Sequence, residues 1–281
     1  METQRQRLTV TLDDAIVKRI DLMVDGIKVR NRSHAIEILL SNTLKERGLK
    51  KAFILAGGEG TRMRPFTYEI PKPLLPLKGI PIIEHEIEHL KKFGIGEVIL
   101  GLGYGAEKII AHFAHGRKMG VKIRYVVEKE KLGTAGPLVL AKEYLDEPFV
   151  VLNGDVLSRV NLHEMYDEHV STGAIATIAL KEVENPTAFG VASLRGNKII
   201  KFVEKPKLED APSRLINAGV YILSPKIFDF MPKDKKSIMI EKEVFPYVAE
   251  KSGLYGYVYD GPWFDLGTHE MYAEAIKEWK E

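Results

Sequence analysis

The chain has 281 residues, 45% of them hydrophobic and 28% charged, with a net charge of +2, which suits one large domain or a large domain and a small one. No apolar run approaches the ~20 residues of a membrane helix, and the charged start Met1–Arg7 leads into no signal-peptide core, so a cytoplasmic protein with no membrane partner is expected. The absence of cysteine excludes disulfides, thiolate metal sites and cysteine nucleophiles.

The charge is unevenly spread. Residues 1–51 carry 11 Lys/Arg against 7 Asp/Glu, and the remainder 30 against 32, so the basic end is expected to have its own partner. Residues 5–12 alternate, with Leu8, Val10 and Leu12 on one face and Arg7, Thr9 and Thr11 on the other, which predicts a strand. Asp13 is placed to cap a helix that Gly26 ends. Ser33 is placed to cap a second one stopping near Gly48, with Ile36, Leu39, Leu40 and Leu44 on its inner side. One strand and two short helices cannot bury such a face without a partner. The order strand, helix, helix over residues 4–47 resembles the ribbon-helix-helix family of small dimeric repressors, whose paired strands enter the DNA major groove. The resemblance implies a small domain over residues 1–48 that makes the protein a homo-oligomer. It also implies DNA contacts from Arg5, Arg7, Thr9 and Thr11, with the Asn31-Arg32-Ser33 helix start on a phosphate. Dimerisation without DNA is the alternative, because +4 over this segment is modest for counterion-driven binding.

From Lys51 onward strands are predicted at 52–56, 97–102, 121–127 and 149–152, alternating with helices at 81–93, 106–115 and 134–145. This is the pattern of an α/β domain with a mostly parallel sheet, in which ligands gather at the carboxyl ends of strands. Gly58, Gly103, Glu128 and Asp155 fall at such ends.

Residues 53–76 organise that domain. The apolar run Ala52 to Ala56 breaks into Gly57, Gly58 and Gly60, a loop with no Cβ to keep a ligand from the backbone amides. Arg62 follows directly, and Pro71 and Pro73 bracket Lys72, fixing the backbone on either side of its ammonium. A glycine nest with a guanidinium and a held ammonium suits a triphosphate. No Gly-Lys-Ser/Thr closes the loop, so it is not the Walker type. Gly-Gly-x-Gly-Thr-Arg-x-x-Pro followed by Lys-Pro-Leu-Leu-Pro resembles the signature of the sugar-phosphate nucleotidylyltransferases, and the likeness runs through residues 51–281 without large gaps.

Two other motifs compete. His85-Glu86-Ile87-Glu88-His89 matches His-Glu-x-x-His, the pattern of a zinc protease. Ile82, Ile83, Ile87, Leu90 and Phe93 mark the buried stripe of that helix, which leaves both histidines on a solvated flank, and no third ligand is evident. Gly101-Leu-Gly103-Tyr-Gly105 between a strand and a helix, with Glu128 further on, mimics a dinucleotide fingerprint, yet it leaves residues 53–76 unexplained.

The resemblance implies a nucleotide-diphospho-sugar transferase fold, Rossmann-like with a mixed, mostly parallel sheet, and distributes roles over this sequence. Leu55, Ala56, Gly57, Gly58, Gly60, Thr61 and Arg62, with Glu128, Gly133 and Thr134, would bind the nucleotide. Gly154, Gly190, Glu204, Lys205 and Asn217 would bind the sugar phosphate. Asp155, in Leu152-Asn-Gly-Asp155, and Asp265, in Trp263-Phe-Asp-Leu-Gly-Thr268, would hold Mg²⁺, which takes oxygen ligands and needs few from the protein. Arg62, Lys72, Asp155 and Asp265 form the implied catalytic set. Either carboxylate alone is also a candidate helix cap, Asp265 less so because Thr268 is better placed. Glu128, five residues before Gly133-Thr134-Ala135, stands where the family reads the base. Its carboxylate suits the adjacent N1–H and N2–H donors of guanine, whereas an amide suits uracil or thymine. A Glu128 that merely solvates a strand end is the alternative, with Glu130 close enough to exchange places with it.

Ile240-Glu-Lys-Glu-Val-Phe-Pro246 and a terminal helix over 268–280 resemble the mannose-1-phosphate guanylyltransferases in particular. The expected reaction is GTP and mannose 1-phosphate to GDP-mannose and pyrophosphate. A thymidylyl- or uridylyltransferase acting on glucose 1-phosphate is one alternative, and a DNA-binding sensor of nucleotide sugars is another. The chain ends at Glu281 without the hexapeptide-repeat β-helix that many such guanylyltransferases carry. Short relatives that use a manno-heptose or N-acetylmuramate 1-phosphate lack it too, which leaves the sugar open.

Overall fold

The computed structural model describes residues 9–26, 29–46 and 48–280. The chain divides into two compact units, Met1–Gly48 and Leu49–Glu281.

In the first unit, α1 (Asp14–Asp21) starts where Asp13 accepts a hydrogen bond from Ala15 N at 2.7 Å. It stops at Asp21, short of Gly26. The second helix, α2 (Arg32–Glu46), is capped by Asn31 rather than Ser33, through Oδ1 and His34 N at 2.9 Å. Asp21 and Arg32 join the two helices at 2.5 Å. The expected strand is not formed at residues 9–12, and residues 5–8, including Arg5 and Arg7, lie outside the described residues. A strand at this position needs another beside it, and this unit has none among the described residues. Thr9 and Thr11 are exposed, as are Val10, Leu12, Ile16, Leu39 and Leu40. The expected inner placement of Leu39 and Leu40 is therefore not met within one chain, since the unit is too small to cover them.

The second unit runs β1 (Lys51–Ala56), α3 (Phe66–Glu69), β2 (Pro76–Leu77), β3 (Ile80–Pro81), α4 (Ile82–Lys92), β4 (Glu97–Leu102), α5 (Ala106–Phe113), β5 (Lys122–Val127), α6 (Gly136–Leu140), β6 (Phe149–Asn153) and β7 (Val156–Ser158). It continues with α7 (Leu162–Thr172), β8 (Ala176–Glu182), β9 (Gly190–Arg195), β10 (Lys198–Glu204), β11 (Leu215–Leu223), α8 (Phe245–Glu250), β12 (Leu254–Val258), β13 (Trp263–Asp265) and α9 (His269–Glu278). Nine strands form one sheet in the order β5-β4-β1-β6-β11-β8-β12-β10-β9. The half built from β5, β4, β1 and β6 is parallel. In the other half β11 runs antiparallel to β6, β8 and β9, and β10 runs antiparallel to its two neighbours. The sheet is thus mixed, as expected: β12 runs parallel to β8, and β10 and β11 alone run against the direction that the other strands share. Both reversed strands are entered where no α-helix joins consecutive strands, at the hairpin at Gly196 and at the return of β11 beside β6.

Period-2 alternation sends Phe53 to one face of the sheet and Ile54 to the other, and each face has its own apolar cluster. A third cluster joins Met63, Leu77, Ile82, Leu157, Leu266 and Trp279. It draws the loop after β1, helix α4, β7, β13 and α9 under one corner of the sheet. Helix 134–145 is realised only as α6 and a short 3₁₀ turn, Lys142–Tyr144.

Candidate active site

At the carboxyl end of β1 a cavity of about 510 Å³ is lined by every residue from Leu55 to Arg62, and by Lys72, Glu128, Gly133, Thr134, Gly154 and Asp155. All ten expected nucleotide residues are among them. The glycines permit close approach: a Cβ on Gly57 would stand 2.7 Å from Glu128 Oε1, and one on Gly103 would stand 2.7 Å from Gly57 O. The dinucleotide-like Gly101-Leu-Gly103 therefore serves to pack the second strand end against the first. Gly60 adopts φ 62°, and a Cβ there would meet Thr67 at 2.9 Å.

Glu128 faces this cavity, half-buried, and accepts from Leu132 N at 3.1 Å. Glu130 faces outward and pairs with Lys236 at 3.4 Å, so the two do not exchange places. Glu59, which carries no mark in the sequence pattern, ties the glycine loop to the next one through Lys131 at 2.7 Å and to Arg64 at 3.5 Å. The Lys131 contact, then its charge, pulls the Glu59 carboxyl below its usual range.

Lys72 is buried, with Nζ 3.0 Å from Asp155 Oδ2. Asp265 joins them because β13 pairs with β7, placing Asp265 opposite Val156, and because Leu266 N donates to Asp155 O at 2.8 Å. Burial, then the charge of Asp155, pushes the Asp265 carboxyl up, while Lys72 and the Gly267 N–H, at 2.8 Å, pull it down. The guanidinium of Arg62 closes the group, and a Cβ on Gly267 would lie 2.8 Å from its Nη2. Arg62 has no carboxylate within ion-pair distance among the described residues. Thr268 caps α9 by accepting from Met271 N at 3.3 Å, which frees Asp265 from that job.

Two half-buried carboxylates that repel one another, in an all-oxygen donor set, fit a hard divalent cation. Among the described residues no group of three or more His, Asp or Glu side chains is placed to hold a metal, so phosphate oxygens and water would complete the shell.

Of the expected sugar-phosphate residues only Gly154 lines this cavity. Gly190 on β9, Glu204 at the end of β10 with Lys205 next to it, and Asn217 on β11 gather beyond it. A Cβ on Gly190 would sit 2.9 Å from Glu204 Oε2, and Asn217 Nδ2 donates to Tyr221 Oη at 2.9 Å. Burial raises the Glu204 carboxyl, with Lys205 and Lys242 opposing. Lys205 sits at φ 49°, an arrangement that costs a lysine about 1 kcal/mol or more and is typical of functional positions.

Two further residues link the groups. Asn153 lines the cavity beside Gly154, and its buried Oδ1 has no hydrogen-bond partner among the described residues. Glu241, in a π turn over Ile240–Val244, accepts from Thr134 Oγ1 at 2.6 Å, and burial pushes its carboxyl up. Asn153 is legible as the residue before Gly154-Asp155. Glu241 lies in the Ile240–Pro246 stretch that carries the resemblance, but nothing in that stretch marks it as the partner of Thr134.

The helix α4 departs from expectation. Both histidines are buried, not solvated: His85 Nε2 meets Leu77 O and His89 Nε2 meets Val160 O, each at 3.0 Å. Burial lowers His89 to about 4, so it is neutral at physiological pH. With each ring engaged on a different carbonyl, the pair offers no shared metal site. The cause is packing against the face left open by the apolar stripe, by Trp279 and Leu77 over His85 and by Val160 over His89.

Between those histidines Glu86 is fully buried, and neither carboxylate oxygen has a partner among the described residues. Burial first, then Asp155, raises its pKa well above the usual range, and Lys72 opposes. A group that binds its proton more tightly when folded stabilises fully below its unfolded pKa of ~4.3 and loses that stabilisation as pH rises toward the folded value. The melting temperature of Glu86→Gln relative to the parent should therefore climb between about pH 5 and pH 8. A difference that stays flat over that range would show that Glu86 carries no buried proton.

Residues 51–281 match the family described as nucleotidyl transferase, and the chain belongs to that family. It is 42% identical over 234 residues to mannose-1-phosphate guanylyltransferase 1 of Arabidopsis thaliana, a match taking in 81% of this chain and 64% of the plant protein. The chain thus spans less than two thirds of that relative's length. A solved UDP-glucose pyrophosphorylase complexed with UDP-glucose superimposes with TM-score 0.71 at 27% identity, covering 82% of this chain and 97% of the other. HddC from Yersinia pseudotuberculosis, complexed with GMP-PN, gives 0.69 at 27% identity, covering 83% and 100%. Among the described residues no helix is long and apolar enough to cross a membrane.

Proposed function

We propose that the chain transfers a guanylyl group from GTP to mannose 1-phosphate, giving GDP-mannose and pyrophosphate. The observation that carries this reading is the convergence of Arg62, Lys72, Asp155 and Asp265 beside a glycine-lined cavity whose wall includes Glu128. Mannose-1-phosphate guanylyltransferases at about 40% identity support the sugar and the base, and the GMP-PN complex of HddC supports the base.

An ionised phosphate oxygen of the sugar phosphate attacks the α-phosphorus in line, a P–O bond forms, and the bond to pyrophosphate breaks with its electron pair. A phosphomonoester with a second pKa near ~6 is largely ionised at neutral pH, so the step needs no general base. The loop amides of Gly57, Gly58 and Gly60 and the Arg62 guanidinium hold the departing pyrophosphate. Lys72 holds the α-phosphate, Lys205 the incoming phosphate, and Glu204 and Asn217 the sugar hydroxyls. Asp155 and Asp265 are the residues to hold Mg²⁺, which when bound neutralises phosphate charge.

Pyrophosphate release measured over a grid of nucleoside triphosphates and sugar 1-phosphates tests the reading. The expected result is one strong cell at GTP with mannose 1-phosphate. A strong cell at UTP or dTTP would overturn the base, and a blank grid from folded protein that binds a nucleotide sugar would favour the sensor.

For residues 1–48 we propose a ribbon-helix-helix unit that forms a dimer and binds DNA through Arg5, Arg7, Thr9 and Thr11. Two short helices with Val10, Leu12, Leu39 and Leu40 exposed support the dimer. Deleting residues 1–48 should convert a dimer to a monomer by light scattering. DNA affinity of the full chain should fall steeply with salt. Dimers that survive the deletion would count against the unit, and salt-insensitive or undetectable binding would count against DNA.

A further inference from the structure

A second cavity, of about 630 Å³, lies behind the nucleotide loop and belongs to none of the roles above. Its floor is apolar, with Phe228 and Met231 buried and Val139 and Leu140 nearly half exposed. Five lysines ring it, Lys129, Lys142, Lys233, Lys235 and Lys236, against the single carboxylate of Glu130. Lys235 is occupied by Glu243 at 2.5 Å and Lys236 by Glu130 at 3.4 Å. Lys129 and Lys233 have no acidic partner among the described residues, and Lys142 Nζ lies 5.5 Å from the centre of the Phe228 ring. A basic rim over an aromatic floor, in a volume within the ~300–1,000 Å³ of ligand sites, suits an anion that carries a flat apolar body.

The wall between this cavity and the nucleotide site is one residue thick. Leu132 and Ile238 face the second cavity, while their neighbours Gly133, Thr134 and Met239 face the first. Ile238 N donates to Leu132 O at 2.8 Å and Ala135 N to Ile238 O at 2.9 Å. A Cβ on Gly133 would stand 2.4 Å from Ile238 O, so the two segments have no slack between them. A ligand that shifts Leu132 or Ile238 therefore shifts Gly133 and Thr134.

We propose that this lysine-rimmed cavity binds a phosphate monoester of a flat, apolar or aromatic molecule, and that its occupancy alters the affinity of the adjoining site for nucleotide. The binding stands on the cavity alone; the effect on GTP rests on the proposed function. The test is a fluorescence titration of the full chain with 1-naphthyl phosphate, a probe of that chemistry. Saturable binding is expected, at least about tenfold tighter than for 1-naphthol or inorganic phosphate. Lys142→Glu/Lys233→Glu should weaken it by about tenfold or more and leave turnover without the probe unchanged, since neither lysine borders the first cavity. Saturating GTP should change the probe's Kd by a finite factor, and the probe should change the Kd of GTP by the same factor. Absence of binding, indifference to the charge reversal, or a probe Kd that rises without limit as GTP is added would overturn the site. An unaltered GTP affinity would overturn the coupling. Failure of GTP to bind, with probe binding intact, would sink the guanylyltransferase reading and spare the cavity.

Discussion

Lys72→Ala is expected to lower the rate of pyrophosphate release by about 10²–10³, the usual cost of removing one preorganised charge from a developing phosphoryl transition state. The position explains the size. Lys72 is buried between Pro71 and Pro73, and its ammonium contacts Asp155 at 3.0 Å. Held this way it would meet the α-phosphate without reorganising, whereas a solvated lysine would first lose rotamer freedom and water. Its removal also leaves Asp155 and Asp265 facing each other with less compensation, and Asp265 is already pushed up by burial and by its neighbour. Asp155→Asn should fall by a similar factor for the complementary reason, since it removes one of two carboxylates that would hold the divalent cation. Neither change touches the cluster of Met63, Leu77, Leu157, Leu266 and Trp279 that supports this corner. Both variants should therefore keep the parent's circular dichroism. Near-parental rates in either would remove these residues from the mechanism.

The second large effect concerns the base. Glu128→Gln should reduce kcat/KM for GTP by about 10–10², the discrimination expected of one bidentate contact to a base edge, and raise the value for UTP or dTTP. The parent carboxylate has one oxygen held by Leu132 N at 3.1 Å, while the other lies against Gly57 and Gly103. An amide can keep the first bond through its carbonyl oxygen, and then presents an NH₂ where the parent presents an acceptor. Guanine's adjacent N1–H and N2–H donors would face that NH₂ and lose their partner, an outcome worse than the loss of a contact. Glu130→Gln is the control, because Glu130 points away toward Lys236. Equal losses for GTP and UTP in Glu128→Gln would mean that the residue supports the loop rather than reading the base.

Chemistry written into neighbouring residues is legible from the sequence by itself. The break from Ala56 into Gly57 and Gly58, the proline bracket around Lys72, Asp155 at a strand tip and Thr268 ahead of the last helix depend only on backbone freedom, fixed φ angles and capping, which act over a few residues. The ten residues expected to bind nucleotide accordingly all line one cavity. The strand and helix periods of the parallel half are legible for the same reason.

What only the tertiary structure decided involves partners far apart in the chain. Asp265 meets Asp155 because β13 pairs with β7, and strand pairing is a choice among alternatives that no local pattern encodes. Thr134 finds Glu241, 107 residues away, through a π turn whose own sequence names no such partner. An apolar stripe on α4 predicts one buried face, but Trp279 and Leu77 close over His85 and Val160 over His89, and Glu86 between them is buried as well. Periodicity reports the first surface a helix buries; whether its second face meets water or protein depends on where the rest of the chain returns, and here the last helix returns on top of it.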